Sequence, residues 1–572
     1  GSPRPVTPAA FRQMVHELTL ASLAEPAWPG VEFLRAETRR TRGGDVHPIA
    51  LLHVRYGRLR SDALASGRLV PDPAGDRLQP APGVDRADLI RPATAFAAAA
   101  LRDETFQGGS IRFVLPRRLL LGDPAGPFAW IELDFADGAG FRPVRLDEPV
   151  IVNYETTGRK VVRLRAEVGA WDSGAGTGAD TVAGPGRTLQ ASFVFTVQAL
   201  SVPEPTEIWP LTASIPYQGH AAAGTAFVYL ADVHTTLTEP VLVSDGFDMN
   251  NDQGWPELYE LLNQSDMLET LRGQGYDLVV LDFVEATEPL QRNALLWVEL
   301  IQQVQAAQAD GRDIAVVGPS MGGLLVRYAL SWMENQGLDH RTRLFASVDA
   351  PQTGANIPLG LQYWLDFFAG ESTEAAYLLS RLDTPAARQM LLYHHTDPPG
   401  TAGAPDPARA AFLADLAALG DWPASPRRVA LANGSGYGLD QGYAAGAQVV
   451  RYEYASLLLD LVGNVWAVPD GGPGMIFDGL FDWLWPLPDE EMQVTVFGTS
   501  PWDNGPGGFR PTMAQMDTTE VPFGDLVALH PNHGFIPTVS ALALATADPF
   551  FDIAGTPDLL DLTPMDAVFY QA

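Results

Sequence analysis

Cysteine is absent from all 572 positions. Disulfide frameworks, thiolate nucleophiles and cysteine-based zinc sites are therefore excluded. Lysine is nearly absent too, Lys160 being the single one, while arginine is common. That bias is compositional and carries no mechanism. Positive charge as a whole is scarce: 37 Lys and Arg stand against 69 Asp and Glu, a formal net charge of −32. Such a balance argues against nucleic acid as a partner, because phosphate contacts need Lys and Arg. It equally disfavours docking on anionic lipid by charge. Repulsion between like molecules favours solubility. No apolar run reaches the roughly 18 residues that a membrane span needs. With 46% apolar and 19% charged residues, the chain is otherwise an ordinary globular one. At this length two domains are expected. The start, Gly1-Ser2-Pro3-Arg4-Pro5, reads as an expression scar joined to a shortened beginning. A signal peptide removed at that point implies a secreted or periplasmic protein, with a cytoplasmic one left open.

The chain changes rhythm once. Up to about residue 205, strand-like runs at 49–56, 110–115, 129–135, 150–154, 160–166 and 191–200 are separated by Gly, Pro and Asp. Only a short helix at 8–24 interrupts this pattern, so an all-β, sandwich-like domain is expected. Residues 169–186 read as a Gly-rich loop. From about residue 206, strands and helices alternate: strands at 240–245, 277–283, 314–317 and 344–348, helices at 255–273 and 289–309. Continuous β-branched runs alternating with helices indicate a doubly wound, mostly parallel sheet. Two insertions, at about 355–426 and 434–491, interrupt this region, with strand candidates at 428–432 and 493–497 beside them. The insertions carry Trp364, Phe367, Phe368, Trp466, Phe477, Phe481, Trp483 and Trp485.

The stretch from Asp313 to Tyr328, DIAVVGPSMGGLLVRY, carries the most chemistry. An apolar β-branched run ends in Gly318-Pro319-Ser320-Met321-Gly322, and a helical pattern follows at once. A strand, a sharp turn with serine at its apex and a helix form a G-x-S-x-G nucleophile elbow. A strained apex needs small neighbours, which Gly318 and Gly322 supply. The following helix points its N-terminus at the serine.

This segment and the strand-helix rhythm resemble the α/β-hydrolase superfamily over about residues 205–550. The implied fold is α/β, with lid-like insertions above the sheet. The resemblance further implies a triad in the chain order Ser, acid, His, in which the base takes the serine proton and the acid orients the base. His533 is the first choice for the base, since Leu529 to Leu542, LHPNHGFIPTVSAL, reads as a loop before a final helix; His530 is the alternative. His340, His394 and His395 lie in a polar turn and in the first insertion. The acid is open among three. Asp349 ends the strand after the elbow helix, Asp503 follows the later strand candidate, and Asp440 lies in a Gly-rich turn after 428–432. Each of them also suits plain turn chemistry. The oxyanion hole is expected from the N–H groups of Met321 and of Phe247, in the loop Asp245-Gly246-Phe247-Asp248. In the first region, WIELDFADG and VNYETTGRKVVRLR resemble the PKD-type Ig-like sandwich, with Ala136 where that family has glycine.

The function expected is hydrolysis of a carboxylic ester, lipophilic or polymeric, by a serine nucleophile. An acyltransferase, a thioesterase or a peptidase on the same triad is the alternative, and a non-catalytic surface binding protein is a further one. No cofactor and no metal are expected. The oxygen-rich loop of Asp245, Asp248, Asn250, Asn251 and Asp252 is read as a solvated turn rather than a Ca²⁺ site.

Overall fold

A computed structural model describes the chain except residues 1–4, 23–27, 42–45, 61, 64–65, 72–77, 102–104, 107–108, 123–127, 169–186, 198–201, 250–253, 309–310, 397–405, 456–458, 484–488 and 519–523. The Gly-rich loop 169–186, the loop residues Asn250, Asn251 and Asp252, Trp485 and the side chain of Trp483 thus lie outside the described residues. The fold is mixed α/β with several sheets. It divides into two compact units: Gly1–Pro203 with Asn250–Leu261, and Glu204–Met249 with Leu262–Ala572.

In the first unit, one five-stranded sheet holds Val46–Leu59, Ile90–Ala100, Ser110–Val114, Leu120–Gly122 and Val150–Asn153. A second holds Thr105–Phe106, Phe128–Asp134, Arg142–Pro143, Gly158–Val168 and Arg187–Val197. Leu51, Ala98 and Phe113 of the first share one core with Leu133, Leu164 and Phe193 of the second. The strand Val46–Leu59 is apolar on both faces, because Ala50, Leu52 and Val54 alternate with Ile49 and Leu51. Its other face is covered by two helices, Pro8–Leu20 and Val31–Arg40, through Phe11, Val15 and Leu34. The expectation of an all-β region with a single helix is corrected here: a sheet that is apolar on both sides needs a second cover. The segments 130–138 and 152–165 are tied together by the Tyr154 hydroxyl, which donates to the Phe135 carbonyl at 2.8 Å. Ala136 adopts φ 61, the left-handed conformation for which glycine is the easier residue.

The second unit is built on an eight-stranded sheet. Its strands are β1 (Glu207–Thr212), β2 (Ala223–Tyr229), β3 (Pro240–Ser244), β4 (Asp277–Phe283), β5 (Ile314–Pro319), β6 (Thr342–Val348), β7 (Arg427–Ser435) and β8 (Ala567–Gln571). Their order in space is β1-β2-β4-β3-β5-β6-β7-β8. β2 runs antiparallel to its two neighbours, and the remaining pairs are parallel. The helices α1 (Leu290–Ala307) and α2 (Met321–Asn335) bury Trp297, Leu300 and Leu325 with Leu242, Val279, Val316 and Phe345 of the strands. Each such fully buried side chain stabilises the fold by about 1.5–3 kcal/mol relative to exposure.

Between β6 and β7, among the described residues, lie the helices Leu359–Phe368, Thr373–Leu382, Pro385–Met390 and Pro407–Ala418. Between β7 and β8 lies a second, antiparallel sheet of Gln448–Ala455, Leu459–Trp466, Gly474–Trp483, Glu490–Val496 and Asp525–Ala528, and the strands Gly507–Arg510 and His533–Pro537, which flank Asp525–Ala528 in sequence, pair with each other. The strand candidate at 493–497 therefore belongs to this inserted sheet, and the excursion does not end at 491. The helix expected from Thr538 is a single turn, Thr538–Ala541. Most of the aromatics of the two insertions pack on one another. Phe367 stacks on Phe481 at 5.2 Å and meets Phe477 at 5.6 Å, and Trp364 meets Phe368 at 4.5 Å. They form the core that joins the helix Leu359–Phe368 to the inserted sheet. Trp466 is half-buried. Among the described residues no helix is long and apolar enough to cross a membrane.

Candidate active site

Ser320 follows β5 directly and precedes α2 directly, at φ 50 and ψ −127. A non-glycine residue at positive φ is strained, and such strain persists only where the surroundings enforce it. Strand and helix enforce it here by their close approach. A Cβ on Gly318 would lie 2.6 Å from the Gly323 Cα, and one on Gly323 would lie 2.4 Å from the Ala350 Cβ. The second of these glycines falls outside the G-x-S-x-G pattern, and its need becomes visible only with Ala350 in place. The loop after β3 also reaches the serine: the Cβ position of Gly246 is 3.7 Å from Ser320 Cβ and 4.0 Å from Oγ. The Gly246 N–H is taken by Asp245 Oδ1 at 2.7 Å. The N–H groups of Phe247 and Met321 have no hydrogen-bond partner among the described residues.

Asp349 is the corresponding residue of the next strand. Pro319 pairs with Val348, so Ser320 and Asp349 each follow the same rung of a parallel ladder. The ladder continues past the strand ends: Ser320 N–H donates to Val348 O at 2.9 Å, and Asp349 N–H donates to Leu431 O at 2.7 Å. Asp349 is likewise left-handed, at φ 44. Its carboxylate accepts from the Asn433 N–H at 2.9 Å and from the Asn433 side-chain amide at 3.0 Å. Burial raises its pKa, and the two Asn433 bonds oppose that rise. The strand Gly507–Arg510 abuts the same carboxylate, since a Cβ on Gly508 would lie 2.7 Å from Oδ2.

His533 starts the partner of that strand and pairs with Arg510. Its side chain is buried, with both ring nitrogens occupied. Nδ1 meets the Gly534 carbonyl at 2.9 Å and Nε2 meets Thr512 Oγ1 at 3.0 Å. A carbonyl only accepts, so Nδ1 carries the proton and Nε2 holds the lone pair toward the threonine hydroxyl. Burial pushes the pKa down to about 4; the Gly534 bond opposes this and the Arg510 charge adds to it. No hydrogen bond joins His533 to Ser320, Asp349, Asp440 or Asp503 in this structure.

The other candidates have separate partners. Asp503 is fully buried and accepts from the Asn356 amide at 2.9 Å and the Val468 N–H at 2.7 Å. Burial pushes its pKa up to about 6 against those two bonds. The same Asn356 amide donates to the Gly534 carbonyl at 3.0 Å, so Asp503 reaches His533 only through intermediaries. Asp440 is exposed and accepts from the Gly442 N–H at 2.8 Å, which is turn chemistry. His530 stacks on Tyr443 at 4.7 Å. His340 is bonded to Glu334 and to the Thr342 N–H at the opposite end of β6. His394, His395 and Asp383 cluster closely enough to hold a metal. Arg388 already pairs with that carboxylate at 2.9 Å, and Leu382 O holds the His394 Nε2 proton at 3.0 Å. Asn433, Asn356 and Thr512 were not legible as site residues, because each is defined by a partner remote in sequence.

No family model matches the chain, and no curated protein matches it. Among solved structures it is similar to Est1E from Butyrivibrio proteoclasticus, at 17% identity, with 25% of this chain and 51% of that chain covered and a TM-score of 0.19. It is similar to an esterase from Pyrobaculum calidifontis, at 17% identity over 40% of this chain and 67% of that one, with a TM-score of 0.23. A third is the peroxisomal alpha-beta-hydrolase Lpx1 from Saccharomyces cerevisiae, at 15% identity, 28% and 51% coverage and a TM-score of 0.20. The chain spans about half the length of the first and third of these structures. Likenesses at these scores carry no argument about the site.

Proposed function

We propose that the chain is a serine hydrolase of the α/β-hydrolase type that cleaves carboxylic esters through an acyl-enzyme. The observation that carries this reading is Ser320 itself: a left-handed residue between strand and helix, toward which Gly246 turns the side that a Cβ would occupy. The strand order β1-β2-β4-β3-β5-β6-β7-β8, with the serine after β5, supports the doubly wound fold assigned from the sequence. The division at 203/204 supports a β-rich first domain of residues 1–205 that supplies no catalytic group.

In this reading Ser320 Oγ attacks the ester carbonyl carbon while its proton passes to His533 Nε2. The carbonyl oxygen becomes an oxyanion held by the Met321 and Phe247 N–H groups, neither of which has a partner among the described residues. The tetrahedral intermediate expels the alcohol, which takes the proton from the imidazolium. Water then repeats the sequence on the acyl-enzyme and releases the acid. His533 Nε2 first has to leave Thr512, a rearrangement of the kind that substrate-free sites commonly require. Asp349 is the preferred orienting acid, on its register beside Ser320; Asp503 is the first alternative and Asp440 the second.

A lipophilic ester is the substrate class we favour. The insertion aromatics argue for it less than the sequence reading expected, because they fill a core. Labelling with a fluorophosphonate followed by peptide mapping tests the whole reading. A single adduct on Ser320 is expected, and an adduct elsewhere, or none, would refute it.

A further inference from the structure

A cavity of about 550 Å³ is lined by Arg327 of α2, by Gln352 and Thr353 of the loop after β6, and by Arg409 of the helix Pro407–Ala418. Both arginines are almost wholly buried, Arg327 at 5% exposure and Arg409 at 4%. They are not equivalent. Arg327 has a counter-charge: its Nη2 pairs with the Asp421 carboxylate, and its Nε donates to the Asp421 carbonyl at 2.8 Å. Its guanidinium carbon also lies 3.9 Å from the Trp422 ring centre. Among the described residues Arg409 has only neutral partners. Nη1 donates to Gln389 O at 3.0 Å and reaches Met390 O at 3.4 Å, and Nη2 donates to Thr353 O. Gln389 and Met390 end the helix Pro385–Met390, so these bonds explain the side chain's place. Among the described residues they leave its charge without a paired carboxylate.

A buried cation without a counter-charge is costly. Arginine does not escape that cost by losing its proton at neutral pH. Burial, with the Arg327 charge adding to it, pushes Arg409 down only to about 10. The other walls are largely apolar, with Leu413, Leu544, Leu562 and Pro564 among them. Asp421 and Asp561 also line the cavity, and they would repel a doubly charged group more than a singly charged one.

We propose that this cavity is a binding site for a monocarboxylate with an apolar body, the carboxylate on Arg409 and the body against Leu413, Leu562 and Pro564. A guanidinium fork matches a carboxylate in geometry as well as charge. The site is separate from Ser320 chemistry and does not rest on the esterase reading.

Titration calorimetry on the full chain tests it, with hexanoate as the probe and hexanol, acetate and inorganic phosphate as comparisons. Saturable hexanoate binding is expected, with each comparison weaker by about tenfold or more. Arg409→Gln should abolish it. That variant also frees three carbonyls, so Leu562→Trp is the second: Leu562 is 38% exposed, and a larger ring there fills the cavity without touching the buried bonds. It too should weaken hexanoate by about tenfold or more. The proposal is overturned by absence of hexanoate binding to the wild type. It is equally overturned by hexanol or phosphate binding as tightly, or by full affinity in Leu562→Trp.

Discussion

Lowering the pH should destabilise this protein through His533, by an amount that can be worked out. The imidazole is 1% exposed and neutral, and its pKa falls from 6.5 to about 4. The unfolded chain keeps the ordinary value. Above about pH 6.5 neither state holds the extra proton, and the stability is fully present. Below it the unfolded chain takes up a proton that the folded chain refuses until about pH 4. Each pH unit in that window costs about 1.4 kcal/mol, so the whole window costs about 3 kcal/mol. Below about pH 4 this contribution falls no further. The perturbation is His533→Gln, which keeps a donor and an acceptor but does not titrate. Urea unfolding of both proteins at about pH 7 and about pH 4 supplies the assay. The variant will be less stable at the higher pH through imperfect packing, yet the gap should shrink by about 3 kcal/mol at the lower. His394, which burial also lowers, is present in both proteins and cancels. Parallel pH dependences would refute the reasoning, because they would mean that His533 takes up its proton without unfolding.

Ser320→Ala should lower kcat by about 10⁴-fold or more with the fold retained, checked by circular dichroism and a soluble ester assay; comparable turnover would exclude Ser320 as nucleophile. Asp349→Asn should cost about 10⁴-fold in kcat, since asparagine tolerates the left-handed backbone and only the charge is lost. Asp440→Asn should be nearly silent, as its carboxylate only closes a turn onto Gly442. A near-normal Asp349→Asn enzyme would move the role to Asp503. For p-nitrophenyl esters, kcat/KM should rise with acyl length, each methylene contributing at most about 0.8 kcal/mol. A monotonic fall from acetate upward would leave a small-ester hydrolase instead.

The parts of this architecture that a reader of the sequence can see are those whose cause is local. Gly318, Ser320 and the β-branched run before them announce the elbow because its sterics lie within a few residues. The strand Ile90–Ala100 is invisible by the same standard: its run of alanines has little β propensity, and it is a strand because it pairs along its whole length with Val46–Leu59. Asn433 could not be read as the partner of Asp349, since the two are 84 positions apart and meet only when β6 and β7 align. The strand Glu490–Val496 carries no mark of which sheet it joins. Phe367 and Phe481 look like an acyl pocket or a core equally well until their 5.2 Å stacking is known. His533 was legible as a late histidine, but its bonds to Thr512 and Gly534 were not, because a ring's orientation is set by neighbours from another strand.

The pairing of β7 with β8 has a kinetic consequence. Val429 meets Ala567 and Leu431 meets Phe569, although an entire antiparallel sheet is threaded between them in sequence. Closing so long a loop before the pairing rewards it is slow. During refolding the edge of β7 therefore stays open while the inserted sheet forms, presenting unsatisfied N–H and C=O groups to other chains. Losses on refolding should accordingly grow with protein concentration. They should fall when a peptide copying Ala567–Gln571 is added to occupy that edge, which makes the last rung of the sheet the step at which this chain is most exposed to misassembly.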